Sequence, residues 1–164
     1  MRVGITRGNA VLDFDCGSGN YVIPAAHLVE GGTVYALDSD PETLEKVKAR
    51  CSEAGLHNVE IIQSDDLDTR LPSAWVDAVL LFDVIHAVDE PRRLLEEMDR
   101  VLKPRGTVAV YPMHMDNTEV IRMMRELDFE LAAEHYGGHI LCLQRTQEMP
   151  DPVDDEPVTG GSRR

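Results

Sequence analysis

Hydrophobic positions along the chain follow two alternating periods. Short apolar runs at residues 10–14 (AVLDF), 33–37 (TVYAL), 59–63 (VEIIQ), 76–83 (VDAVLLFD) and 107–111 (TVAVY) each read as a strand. The segments between them carry helical spacing. Residues 20–30 form one such segment, closed by Gly31 and Gly32. Asp40 as N-cap and Pro41 as first helical residue open a second, with Leu44, Val47, Cys51 and Ala54 on one face and Gly55 at its end. In a third, EPRRLLEEMDRVLKPRG, Leu94, Leu95, Met98, Val101 and Leu102 share a face until Pro104 and Gly106 stop the helix. Asp116 and Glu119 have the spacing of a capping box for a fourth, which buries Val120, Ile121, Met124 and Leu127. FELAAEHY (129–136) and HILCLQR (139–145), joined by Gly137-Gly138, read as an antiparallel hairpin.

Strands that alternate with helices require right-handed crossovers and a parallel sheet covered on both faces. The expected fold is α/β: a Rossmann-like three-layer sandwich around a mostly parallel seven-stranded sheet with a C-terminal antiparallel hairpin. The near-continuous apolar run at 76–83 suits a central strand. From Gln147 the chain has Pro, Gly and acids without apolar periodicity. One domain over residues 1–146 and a disordered acidic tail over 147–164 are therefore expected.

Composition removes several functions. The formal charge of −14 argues against nucleic acid as a partner, because phosphate binding rests on clustered Lys and Arg. Cys16, Cys51 and Cys142 are far apart and show no C-x-x-C spacing, so neither a disulfide framework nor a zinc site follows. No segment approaches the roughly 18 apolar residues of a membrane span, and the N-terminus has no signal-peptide apolar core. A cytoplasmic protein is expected.

Acids stand where the strands should end. In such sheets the ligand lies at the carboxyl ends of the strands, at the point where strand order reverses. Asp38, with Ser39 beside it, ends the second strand about 20 residues after Gly17, where a carboxylate can accept from ribose hydroxyls. Asp65 and Asp66 follow the third strand, in position to meet an adenine. Gly17-Ser18-Gly19 begins a G-x-G turn, but Val22 stands where a dinucleotide fingerprint needs a third Gly or Ala. A nicotinamide-dependent oxidoreductase is accordingly disfavoured.

The ordered series VLDFDCGSG, VYALDSDPETLEKVK, IIQSDDLDTRLP and VDAVLLFDVIHAVDEPRRLLEEMDRVLKPRGTVAVY resembles the class I S-adenosylmethionine-dependent methyltransferases. It is most similar to the small-molecule type found in ubiquinone and menaquinone biosynthesis. The resemblance runs from about residue 10 to 145. It implies S-adenosylmethionine as cofactor and S-adenosylhomocysteine as product. Carried over by position, Asp13, Gly17 and Gly19 support the methionine end, Asp38 the ribose, and Asp65 with the Asp66 amide the adenine, while Phe82 lies beside the sulfonium. Asp15 departs from the family pattern by replacing the first glycine of the motif; its carboxylate is expected to face the positively charged methionine end. Only about nine residues precede the first strand, where these enzymes usually carry cofactor-capping helices. That points to a minimal cap and to a homodimer or partner protein over the cofactor cleft.

Methyl transfer from a sulfonium needs alignment and, for a protonated acceptor, a base. His86 and Asp83 at the exit of the fourth strand are the candidate catalytic residues, because an ordinary imidazole titrates near neutral pH. His114 follows the fifth strand. Asp83, His86 and His114 suit a metal by residue type, but no ligand-spacing motif supports one, and no metal is expected. The functional expectation is a methyltransferase acting on an unidentified small-molecule acceptor. The alternative is a catalytically inactive cofactor-binding partner or regulatory subunit.

Overall fold

The computed structural model describes residues 3–146. The chain runs β1 (Ala10–Phe14), α1 (Val22–Val29), β2 (Thr33–Asp38), α2 (Pro41–Glu53), β3 (Val59–Gln63), β4 (Val76–Phe82), a 3-10 turn (Ile85–Ala87), α3 (Pro91–Val101), β5 (Leu102–Tyr111), α4 (Asn117–Arg125), β6 (Phe129–His135) and β7 (Ile140–Arg145). The seven strands form one sheet in the order β3-β2-β1-β4-β5-β7-β6. Strands β1 to β5 pair in parallel, and β7 runs antiparallel to both β5 and β6. The expected α/β three-layer fold is the one observed. The expected tail at 147–164 lies outside the described residues.

Period-two alternation divides the core into two layers. Val11, Val34, Ala36, Ala78 and Leu80 pack under α1 and α2 with Val22, Ala25, Val29, Leu44 and Val47. Leu12, Leu37, Val79, Leu81 and Val108 face the other way, under α3 and α4, with Leu94, Met98, Val120 and Met124. The central strand β4 is buried on both faces, which its apolar run anticipates. Strand order reverses between β1 and β4, and the crevice at their carboxyl ends is where a ligand has room.

The start of α1, the end of α3 with the start of β5, the end of β4 and the cap of α4 differ from the hydrophobic pattern. Helix α1 begins at Val22, because Gly19 donates to the Cys16 carbonyl at 3.0 Å and closes a turn first. Helix α3 ends at Val101, and Leu102 is extended and pairs with Val76 instead of continuing the helical face. Pro104 disfavours helical backbone at Lys103, while the Ala74 and Trp75 N–H groups take the Arg100 and Val101 carbonyls at 2.9 and 2.8 Å. Strand β4 stops at Phe82, since Asp83 adopts φ 63°. At α4 the Asp116 carboxylate accepts from the Thr118 N–H at 2.8 Å; Glu119 gives its own N–H to the Asp116 carbonyl at 3.0 Å. That is a simple N-cap in place of the box.

Candidate functional site

The turn after β1 is set by three left-handed residues within five positions: Asp15 (φ 59°), Gly17 (φ 51°) and Gly19 (φ 76°). Gly17 has open space around a would-be side chain, so backbone conformation selects glycine there. At Gly19 a Cβ would come 3.2 Å from Val47 as well. Asp15 meets the same conformational demand because Asp is among the few side chains that tolerate it.

Asp38 holds this turn in place. Its Oδ2 accepts from the Gly17 N–H and its Oδ1 from the Asp40 N–H, both at 2.9 Å. The side chain is almost fully buried, and one carboxylate thus ties the glycine turn to the start of α2. Asp40 in turn caps α2 through the Glu42 and Thr43 N–H groups, with Pro41 at the first position, as its sequence predicts.

A cavity of about 450 Å³ opens at this point. Of the expected cofactor residues, Asp15, Asp38, Ser39, Asp65 and Asp66 line it. Leu37, Leu67 and Val84 supply apolar wall, and Asp89, Glu90 and Arg93 close the side formed by the start of α3. Six carboxylates therefore face one guanidinium. Asp66 is fixed by the Asp68 N–H and the Ser64 hydroxyl at 2.8 and 2.9 Å, and these bonds hold its carboxyl below the usual range.

The remaining expected residues lie around the cavity without lining it. Asp13 is buried beneath the turn, and its Oδ2 has no hydrogen-bond partner. Burial, reinforced by Asp15 and Asp38, pushes its carboxyl up to about 8, so it is largely protonated at neutral pH. Burial and then the nearby Asp38 and Asp83 charges raise Asp15 as well. Gly17 and Gly19 act through the backbone. Phe82 stands edge-on to Tyr21 at 4.6 Å and to Tyr111 at 6.5 Å, and His139 extends the row at 6.4 Å from Tyr111.

A second cluster lies at the exit of β4. Asp83 Oδ1 is 3.5 Å from His86 Nδ1 and 3.8 Å from His114 Nε2, and the two imidazoles are 4.7 Å apart. His114 comes from the loop between β5 and α4, and only the fold brings it to this pair. Sequence reasoning missed Asp89, Glu90 and Arg93 as cavity residues, because DEPRR reads only as a helix start. It missed Tyr21 and Tyr111 because isolated tyrosines carry no spacing signal.

Residues 12–110 match the family described as methyltransferase domain. The demethylmenaquinone methyltransferase of Listeria monocytogenes serotype 4a is 32% identical over 89% of the chain. The match spans 65% of that relative's length. A methyltransferase of Aquifex aeolicus described as SAM dependent superposes with a TM-score of 0.76 at 26% identity, covering 86% of this chain and 83% of that one. The fold also matches, with a TM-score of 0.69 at 23% identity over 80% of this chain and 66% of the other, a structure from Haloferax volcanii described as a complex between the Trm112 methyltransferase activator and a putative methyltransferase. With this family match over 12–110 and this strand order, the chain belongs to the class I S-adenosylmethionine-dependent methyltransferases.

Proposed function

We propose that this chain binds S-adenosylmethionine in the acid-lined cavity and transfers its methyl group to a small-molecule acceptor. The observation that carries the reading is the lining itself, six carboxylates against one guanidinium at the switch point. Such a cavity suits a ligand whose ammonium and sulfonium outweigh its carboxylate, and opposes the pyrophosphate of a nicotinamide dinucleotide. Asp38 is the ribose group, Asp65 and the Asp66 amide the adenine groups, and Asp13, Gly17 and Gly19 shape the methionine end, with Asp15 facing it. The bound cofactor supplies an already activated methyl group. The chain's own residues align the two reactants and handle the acceptor's proton, which we assign to His86 with Asp83 beside it.

The relatives' names point to a quinone-type acceptor, and the aromatic row of Tyr21, Phe82 and Tyr111 supports a ring-bearing molecule here. Among the described residues no helix is long and apolar enough to cross a membrane, which fits a cytoplasmic enzyme. Calorimetric titration with S-adenosylmethionine, S-adenosylhomocysteine and NAD tests the cofactor: the first two bind, and binding of NAD alone overturns the reading. A second reading, a cofactor-binding subunit without catalysis, is favoured by Asp15 in the family's glycine position. A methyl-transfer screen over ring-bearing acceptors separates the two, since turnover by the purified chain excludes the inactive subunit.

A further inference from the structure

We propose that Asp83, His86 and His114 bind a divalent first-row transition-metal ion beside the cofactor cavity. The three come from three parts of the fold: the exit of β4, the 3-10 turn that follows it, and the loop between β5 and α4. The left-handed backbone at Asp83, with its N–H donated to the Tyr111 carbonyl at 2.9 Å, anchors the main chain that carries the carboxylate to the neighbouring strand. One oxygen of that carboxylate, Oδ1, is shielded from solvent and has no hydrogen-bond partner. The two imidazole nitrogens lie 3.5 and 3.8 Å from it.

One ligand atom from each residue lies within 4.8 Å of the other two. An ion with bonds of about 2.0–2.2 Å holds adjacent ligands roughly 3–3.5 Å apart, so the cluster needs only a modest contraction. Both imidazoles have the exposure to make it. A cation between the three groups satisfies that oxygen and both nitrogens together.

The donor set selects the ion. Two imidazoles and one carboxylate suit zinc, cobalt, iron or manganese, while magnesium and calcium prefer oxygen ligands alone. Three protein ligands leave coordination positions free, the arrangement of a site that takes a further ligand rather than a closed structural one. Val84 and Ala87, next in sequence to Asp83 and His86, line the cofactor cavity. The open side thus serves a hydroxyl- or thiol-bearing molecule brought next to that cavity; His86 takes the acceptor's proton in the metal-free chain and is a ligand once the ion is bound. The site rests on its own geometry and does not depend on the methyl-transfer reading.

The test uses the full chain, stripped with a chelator and titrated with Zn²⁺, Mg²⁺ and Co²⁺. One Zn²⁺ per chain is expected, with Mg²⁺ unable to compete and Co²⁺ giving visible bands of a nitrogen and oxygen site. His86→Ala and His114→Ala should each weaken Zn²⁺ binding by at least about tenfold. Asp83→Asn, which retains the tolerance for the left-handed backbone, should do the same with an unchanged circular-dichroism spectrum. His57→Ala, in the loop before β3, should leave binding as it is. No Zn²⁺ binding at 1 mM, equal binding by the His86→Ala/His114→Ala double variant, or a thiolate-to-cobalt band would each overturn the proposal.

Discussion

Asp38 and Asp13 stand within one short stretch of sheet and illustrate opposite uses of a buried acid. Asp38 accepts one backbone N–H on each oxygen, from the glycine turn and from the start of α2, and keeps lone pairs for the ribose hydroxyls. Replacing it with Ala is expected to weaken S-adenosylmethionine binding by about 1.5–3 kcal/mol, the range for hydrogen bonds to a charged group, measured by calorimetry. Asp38→Asn, which keeps one acceptor oxygen, should lose less. Asp13 has an oxygen with no partner, and its carboxyl is raised to about 8. The folded state therefore holds a proton that the unfolded chain releases near pH 4, and stability falls as pH rises between those values. The melting temperature of Asp13→Asn should exceed that of the wild type by a gap that widens from pH 4 to 8 and then levels off. The slope is at most about 1.4 kcal/mol per pH unit.

The helices and strands were legible wherever a period and a stop signal coincided. Asp40-Pro41 and Gly55 bracket α2 in the sequence as in the fold, and β4 shows its central place by being apolar on both faces. The end of α3 was not legible, because its last carbonyls are taken by Ala74 and Trp75, which lie far off in sequence. The same limit applies to the site. Acids at strand ends could be read from spacing, and Asp83, His86 and His114 could be grouped by residue type at neighbouring strand exits, but their approach to 3.5 and 3.8 Å depends on how two loops close over the sheet. Helix α3 carries a further tie of this kind at Glu97, which accepts from the Thr69 N–H and hydroxyl at 2.9 and 2.6 Å and from Arg100 at 2.7 Å. Burial pushes the Glu97 carboxyl up, yet the bonds from Arg100 and Thr69 outweigh it and hold it below its ordinary value. Its contribution to stability is present above pH about 4.3 and lost as pH falls through the lower folded value. Glu97→Gln should destabilise by about 1–2 kcal/mol at neutral pH, with the gap to the wild type closing in acid, followed by thermal unfolding.

At the scale of the whole molecule, Tyr21, Met113 and Tyr136 remain exposed on the described surface. Tyr21 and Met113 adjoin the aromatic row and the His114 loop at the carboxyl ends of the strands. We propose that a second copy of the chain covers this rim; sedimentation should show a dimer, and a monomer turning over a free small molecule with full activity would refute the cover.

The position of β7 bears on how the chain is made. It is the last strand of the sheet in sequence but not in space, since it slots between β5 and β6 and pairs with both. A nascent chain that has emerged only as far as Tyr136 contains the residues of all five parallel strands, yet β5 lacks its β7 partner and β6 has nothing to pair with. Leu141, Cys142 and Leu143, all buried in the finished sheet, are also missing at that stage. Assembly during synthesis must wait for these few residues, and a ribosome stalled before them would release a sticky sheet edge. Chains truncated before Ile140 should accordingly collect in the insoluble fraction on expression, whereas soluble and folded product from such a truncation would show that β7 is dispensable for closing the sheet.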